Sequence, residues 1–232
     1  MVPDWEHEID LCAKGHSMVA GVDEVGRGAW AGPLVAGAVI LPSPDALRLR
    51  GDTELLEELA CLRDSKMLTR AKRERLLETV KTGAVATGIG LVSARLVDLI
   101  GLGPANRLAM ARAVRALGVW PSYLVIDAFK LPAVPIPQKP IIRGDATCIS
   151  IAAASVVAKV ARDKIMDDWD AEYPGYGFAS HKGYGTRAHI DALRQLGVSP
   201  LHRRSYAPIK AMLRGEPWPL EICADDEEPG AE

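Results

Sequence analysis

Four carboxylates stand where apolar segments stop. Asp23 and Glu24 close the run from Met18, Asp127 closes SYLVID (122–127), and Asp145 precedes an alanine-rich stretch. Acids at the ends of hydrophobic strands can converge at one edge of a sheet, where their mutual repulsion is tolerable only with a cation. Hard oxygen donors of this kind select Mg²⁺ or Mn²⁺ over zinc. Two such ions can activate a water and stabilise the leaving oxygen of a phosphodiester. Singly, each acid has an ordinary use: a strand-end acid caps a turn, and Asp145 sits where a helix N-terminal acid would. The pair Asp23–Glu24 is harder to dismiss, because strand neighbours point to opposite faces. Both reach one site only if the backbone bends there, and Gly26 and Gly28 are placed to allow it.

The elements that must position these acids are short and well punctuated. Residues 18–23 and 33–41 are apolar, β-branched runs bounded by Gly and Pro, and 85–92 has the same character, so three early strands are predicted as an antiparallel meander. The connection 42–84 holds a charged helix with Thr69 as N-cap and Leu76, Leu77 and Val80 on one face. A second helix is predicted from Pro104 to just before Gly118, then the strand SYLVID. The proline-rich stretch 132–140 is predicted as a loop. Residues 149–169 read as a long helix whose Ala152, Ala153, Ala154 and Ser155 let it lie close to a sheet. A shorter helix spans Thr186 to Leu196 and is closed by Gly197. The order βββ–α–β–α points to a mixed α/β sheet rather than a doubly wound one, since the first strands lack helical crossovers.

Composition narrows the class. The chain has 232 residues, 48% hydrophobic and 25% charged, enough for a real core, and it shows no internal repeat. All 28 Lys and Arg lie at or before Arg214, against 23 of the 30 acids, so residues 1–215 carry a net +5 that suits a polyanionic partner. Cys12, Cys61, Cys148 and Cys223 are far apart without C-x-x-C pairing, which argues against a zinc site or disulfide framework and for a reduced, cytoplasmic setting. No segment reads as a signal peptide or a membrane span. Gly21 to Gly28 misses the P-loop spacing, and Gly26, Gly28 and Gly32 miss the dinucleotide fingerprint by one residue.

GVDEVGRGAWAGPLVAGAVIL (21–41) resembles the signature of the ribonuclease HII family. RDSKMLT (63–69), YLVID (123–127), IRGDATCISIAAASVVAKVARD (142–163), YPGYGFASHKGYGT (173–186) and SPLHRRSY (199–206) match further blocks in order. The resemblance covers about residues 18–208. It implies an RNase H-like fold: a five-stranded mixed sheet flanked by helices, with a C-terminal helical extension from about 165 to 214 in a single catalytic domain 1–214. Residues 215–232 are then an acidic tail. It implies that Asp23, Glu24, Asp127 and Asp145 are the catalytic, metal-binding acids, and that Mg²⁺ or Mn²⁺ is the cofactor. It matches Gly26, Arg27 and Gly28 to the segment reading the 2′-hydroxyl, which is what distinguishes RNA. Tyr184 matches the tyrosine stacking under the following deoxyribose, Ser65 and Lys66 a phosphate-contacting block, and His181 and Lys182 the backbone contacts.

The implied activity is endonucleolytic cleavage of RNA in RNA–DNA hybrids, and at single ribonucleotides in duplex DNA, leaving 5′-phosphate and 3′-hydroxyl ends. The implied roles are ribonucleotide removal and hybrid processing by a monomer. Two rivals are a non-catalytic hybrid-binding module and an integrase-like strand transferase, which would not need a 2′-hydroxyl. Asp163 reads as structural, paired at i+4 with Lys159, while His202 and Arg203 receive no chemistry. Ala128, where the family commonly has glycine, and Trp30, where it has an aliphatic residue, are small departures.

Overall fold

The computed structural model describes residues 3–62 and 69–216. Along the chain these form α1 (Glu6–Ala13), β1 (Val19–Val25), β2 (Leu34–Ile40), α2 (Pro44–Arg50), α3 (Thr53–Ala60), α4 (Arg70–Gly83), β3 (Ala86–Val92) and α5 (Ala94–Ile100). Then come α6 (Leu102–Arg115), β4 (Tyr123–Asp127), β5 (Gln138–Ile141), a short 3₁₀ turn (Gly144–Ala146), α7 (Ile149–Glu172), α8 (Phe178–His181), α9 (Arg187–Leu196) and α10 (Ala207–Leu213). Ser65, Lys66 and nearly all of the acidic tail lie outside the described residues. No helix among the described residues is long and apolar enough to cross a membrane.

The sheet is five-stranded in the order β3-β2-β1-β4-β5. β1, β2 and β3 form the expected antiparallel meander, while β4 joins β1 in parallel and β5 joins β4 in parallel. β1 and β2 are buried nearly throughout, as befits central strands covered on both faces. On one face α7 contributes Ala152, Ala153, Ala154, Val156 and Val157 to a core with Val39, Leu47 and Leu59. On the other, Ala109, Met110 and Ala113 of α6 meet Val22, Ala36 and Leu124.

Small residues set the spacing on both faces. A Cβ on Gly21 would stand 2.1 Å from backbone atoms of Ser150, and one on Gly90 2.0 Å from the carbonyl oxygen of Ala109. Thr69 caps α4 through its hydroxyl, which accepts from the Lys72 amide, and Leu76 and Val80 are buried as the pattern predicts.

Several expectations are corrected. The stretch 132–140 is not loop throughout, because Gln138–Ile141 is β5. It is an edge strand, where Pro140 removes no ladder bond that the sheet interior needs. Helix α6 begins at Leu102 rather than Pro104, and 42–84 holds α2 and α3 besides α4. The boundary near 165 falls within the unbroken α7. The C-terminal helices nonetheless gather around their own cluster of Phe178, Ile190, Leu193 and Ile209, into which Trp30 and Met166 insert.

Candidate active site

Asp23 and Asp127 end up side by side because β1 and β4 are parallel. Their register pairs Val22 with Ile126, so the next residue of each strand is an acid. The bend expected between Asp23 and Glu24 is not there: the ladder to β2 runs on through Asp23–Gly37 and Glu24–Ala36, and the positive φ of +89° comes later, at Gly26. The side chain supplies the turn instead. Asp23 folds along its own strand, and its Oδ1 accepts the Glu24 amide at 2.7 Å. One carboxylate oxygen each from Asp23, Glu24 and Asp127 then lie within 4.8 Å of one another.

Asp145 stands beside this trio rather than in it. Asp127 Oδ1 accepts the Gly144 amide at 2.7 Å, which ties the 3₁₀ turn carrying Asp145 to the end of β4. Burial first, then repulsion from Glu24, Asp127 and Asp145, holds the Asp23 carboxyl well above the ordinary carboxylate range, although Ser155 hydrogen-bonds to it. A cation placed among these oxygens would remove that repulsion. The donor set is all carboxylate, as hard divalent ions require.

The loop after β1 is gripped from below by two arginines that sequence reading left without a role. Arg162 is fully buried; its Nε donates to the Pro33 carbonyl and its Nη2 to that of Ala31, both at 3.1 Å. Arg203, also fully buried, donates from Nε to Gly32 O and from Nη1 to Arg27 O, each at 3.1 Å. The Tyr206 hydroxyl donates to the same Arg27 carbonyl. These bonds turn the Arg27, Ala31, Gly32 and Pro33 carbonyls toward the two buried guanidinium groups. Burial lowers the Arg162 guanidinium to about 10. The signal for Arg162 was its spacing, since it lies four residues from both Ala158 and Met166, each buried on the same helix.

Within the loop the glycines differ in their need. Gly26 has φ +89°, and a Cβ there would meet Arg162 Nε at 2.3 Å. Gly28 is exposed, and its nearest neighbour would be the Tyr184 ring at 3.9 Å, so the fold itself does not demand glycine there. Ala128, after Asp127, adopts φ 53°, a left-handed conformation that suits the glycine usual at that position.

Tyr184 faces this loop, with the Arg162 guanidinium 5.4 Å from its ring centroid. Its carbonyl is held by a histidine relay. His189 Nδ1 contacts Tyr184 O at 2.8 Å, His189 Nε2 contacts His202 Nε2 at 3.0 Å, and His202 Nδ1 accepts the Ser199 amide at 3.0 Å. A carbonyl can only accept and an amide can only donate. His189 therefore carries its proton on Nδ1 and His202 on Nε2, and both rings are neutral.

His181, expected to bind the backbone, is buried instead. Its Nε2 faces the Tyr176 carbonyl at 2.7 Å, and its Nδ1 accepts the Gly183 amide at 3.1 Å, so no ring nitrogen is left for phosphate. Lys182 is ion-paired with Asp167. Asp163 pairs with Lys159 at 2.6 Å, as its spacing implied, and also with Arg73 at 3.5 Å. Trp30 is buried 5.7 Å from the His189 ring and packs in the C-terminal helical cluster.

The relay makes stability depend on pH. Burial pushes His189 down to about 3 and His202 to about 4. The unfolded chain, with histidines near 6.5, takes up protons first as pH falls. The contribution of these neutral rings is therefore complete above about 6.5 and is lost progressively below it, by roughly 1.4 kcal/mol per pH unit for each ring. Melting temperature should fall between pH 7 and 5, and fall less in His202→Gln, which removes one of the two titrating rings. Equal slopes in the two proteins would contradict the assignment.

A family model described as ribonuclease HII matches residues 20–209. The ribonuclease HII of Dehalococcoides mccartyi strain 195 is 49% identical over 210 residues, covering 90% of this chain and 95% of that protein. That of Chloroflexus aurantiacus is 48% identical over 209 residues, with 90% and 95% covered. The crystal structure of the ribonuclease H2 from Pyrococcus horikoshii superposes with a TM-score of 0.69 at 22% identity, over 85% of this chain and 97% of that one, and shares its fold.

Proposed function

Because the chain belongs to the ribonuclease HII family and is thereby an RNase H endonuclease, we propose that Asp23, Glu24, Asp127 and Asp145 are its catalytic acids and hold Mg²⁺ or Mn²⁺. The observation that carries this reading is the approach of three carboxylates to within 4.8 Å at the ends of two parallel strands. Divalent ions bound there would activate a water for in-line attack on the phosphodiester and neutralise charge on the departing 3′ oxygen. The chain's own part is to supply negative charge in a fixed geometry. The Glu24 and Gly144 amides orient the Asp23 and Asp127 carboxylates, and the buried setting keeps the field strong.

The substrate is duplex DNA carrying ribonucleotides, and RNA–DNA hybrid, cut to leave 5′-phosphate and 3′-hydroxyl ends. Gly28 supports the 2′-hydroxyl reading, since it is a glycine at a position where the fold itself leaves room for a side chain. A sugar edge would fit against its backbone, with Gly26 and Arg27 beside it and the Tyr184 ring opposite. The same reading makes residues 1–214 one catalytic unit acting as a monomer in the cytoplasm, where it removes ribonucleotides from DNA. Ser65 and Lys66 are assigned to phosphate by resemblance alone. A non-catalytic hybrid-binding module is not favoured for a member of this family.

The test is cleavage of a labelled DNA duplex containing one ribonucleotide, with Mg²⁺, with Mn²⁺ and with EDTA. A single cut 5′ to the ribonucleotide, absent in EDTA, is the expected result. Cutting confined to longer hybrids would remove the single-ribonucleotide role from Gly28 and Tyr184, and cutting in EDTA would remove the metal.

A further inference from the structure

Arg27 is anchored at its backbone by Arg203 and Tyr206, but its guanidinium reaches out of the loop to a different support. The Cζ atom lies 4.7 Å from the centroid of the Phe129 ring, while Nη1 lies 3.5 Å from Glu24 Oε1. Phe129 itself is fixed. It follows Asp127 by two residues, its amide donates to the Asp127 carbonyl at 2.6 Å, and it packs against the core on the α6 side. The ring therefore bridges the end of β4, which carries a catalytic acid, to the loop that faces the substrate.

We propose that Phe129 is a positioning residue for substrate binding, a platform that holds the Arg27 guanidinium over its face for a phosphate of the nucleic acid. This role rests on the reading of Arg27 as a substrate contact. A guanidinium lying on an aromatic face keeps its N–H donors directed along its own plane, where they can form a fork to phosphate oxygens. Without a platform, a long exposed side chain must be ordered at the moment of binding. Glu24 alone is a poor holder, because a cation among the acids competes for the same carboxylate. The ring is neutral and keeps its hold whether or not the cation is bound. Occupation of the acid cluster thus leaves Phe129 to keep Arg27 in place.

The experiment is a double-mutant cycle on the full chain. Dissociation constants for the single-ribonucleotide duplex are measured by fluorescence anisotropy in EDTA, and KM and kcat in Mg²⁺. Phe129→Ala and Phe129→Leu should each weaken binding about two- to fivefold, the range expected of an exposed cation–π contact, with the loss in KM rather than in kcat. Phe129→Trp should bind like the parent. In an Arg27→Ala background, Phe129→Ala should cost nothing further. Binding by Phe129→Leu equal to the parent, or losses that multiply in the double variant, overturns the proposal, because a packing role would show one or the other. A parent protein that binds the duplex but does not cut it overturns the functional reading alone, and the cycle remains readable.

Discussion

Asp127→Asn should give a folded protein whose cleavage rate falls by about 10³-fold or more. The carboxylate oxygen that accepts the Gly144 amide is replaced by an amide oxygen that accepts it equally well, so the turn carrying Asp145 stays tied to β4. What is lost is charge. A ligand missing from a centre that stabilises developing negative charge forfeits several kcal/mol, at about 1.4 kcal/mol per decade of rate. Stability moves the other way. Asp23 sits under repulsion from Asp127, and removing one of the repelling charges eases it. The metal-free variant should therefore melt slightly above the metal-free parent, while the rise in melting temperature that Mg²⁺ gives the parent shrinks. Calorimetry with and without Mg²⁺, beside the cleavage assay, reads both halves. A fully active variant would show that the site does not need this carboxylate.

Gly21→Ala should be among the most damaging small changes in the scaffold. The new methyl would stand 2.1 Å from both the carbonyl carbon and oxygen of Ser150 and 2.5 Å from the Ile151 nitrogen, all backbone atoms. A side chain could rotate away, but a helix backbone cannot. Overpacking costs about 1–3 kcal/mol where neighbours adjust, so about 3 kcal/mol or more is expected here, or roughly 6–12 °C in melting temperature. The injury would reach the site, since lifting α7 from β1 draws Ser155 away from Asp23. Gly103→Ala is the matching control. It lies in α6 with only the Arg107 guanidinium at 3.9 Å, and should gain up to about 1 kcal/mol. Thermal melts of the two variants should shift in opposite directions, and similar melting points would remove the close-packing argument.

The legible parts of the fold were those whose signals are local. β1, β2 and β4 are apolar runs with sharp ends, and α4 and α9 announce themselves through Thr69 and Thr186, each capping its helix. β5 was missed because QKPI has neither the length nor the alternation of a strand. It pairs on one side only, and Gln138 spends its side chain on the Leu131 amide and carbonyl rather than on a sheet face. The acids were visible as strand ends, but which of them meet depends on the parallel pairing of β1 with β4, a contact across about a hundred residues. The arginine clamps were illegible for the same reason. Arg203 and Arg27 are partners 176 residues apart, and nothing in either neighbourhood names the other. His181 misled because a histidine beside a lysine looks like a basic patch, whereas Phe178 and His189 enclose its ring.

The strand order carries a consequence for the growing chain. β1 stands at the centre of the sheet between β2, which follows it at once, and β4, which begins at Tyr123. As the polypeptide leaves the ribosome, the meander of β1, β2 and β3 can pair early. One flank of β1, with Asp23 and Glu24 at its end, then waits while the chain runs on from Val92, the end of β3, to Tyr123, the start of β4. During that interval a central strand behaves as a bare edge, the kind of surface on which chains pair wrongly with one another. The acid trio cannot assemble until β4 arrives, and the helix that covers it comes later still. A nascent fragment thus holds half of a nuclease and none of its activity, and its hazard in the cell is aggregation rather than premature cutting.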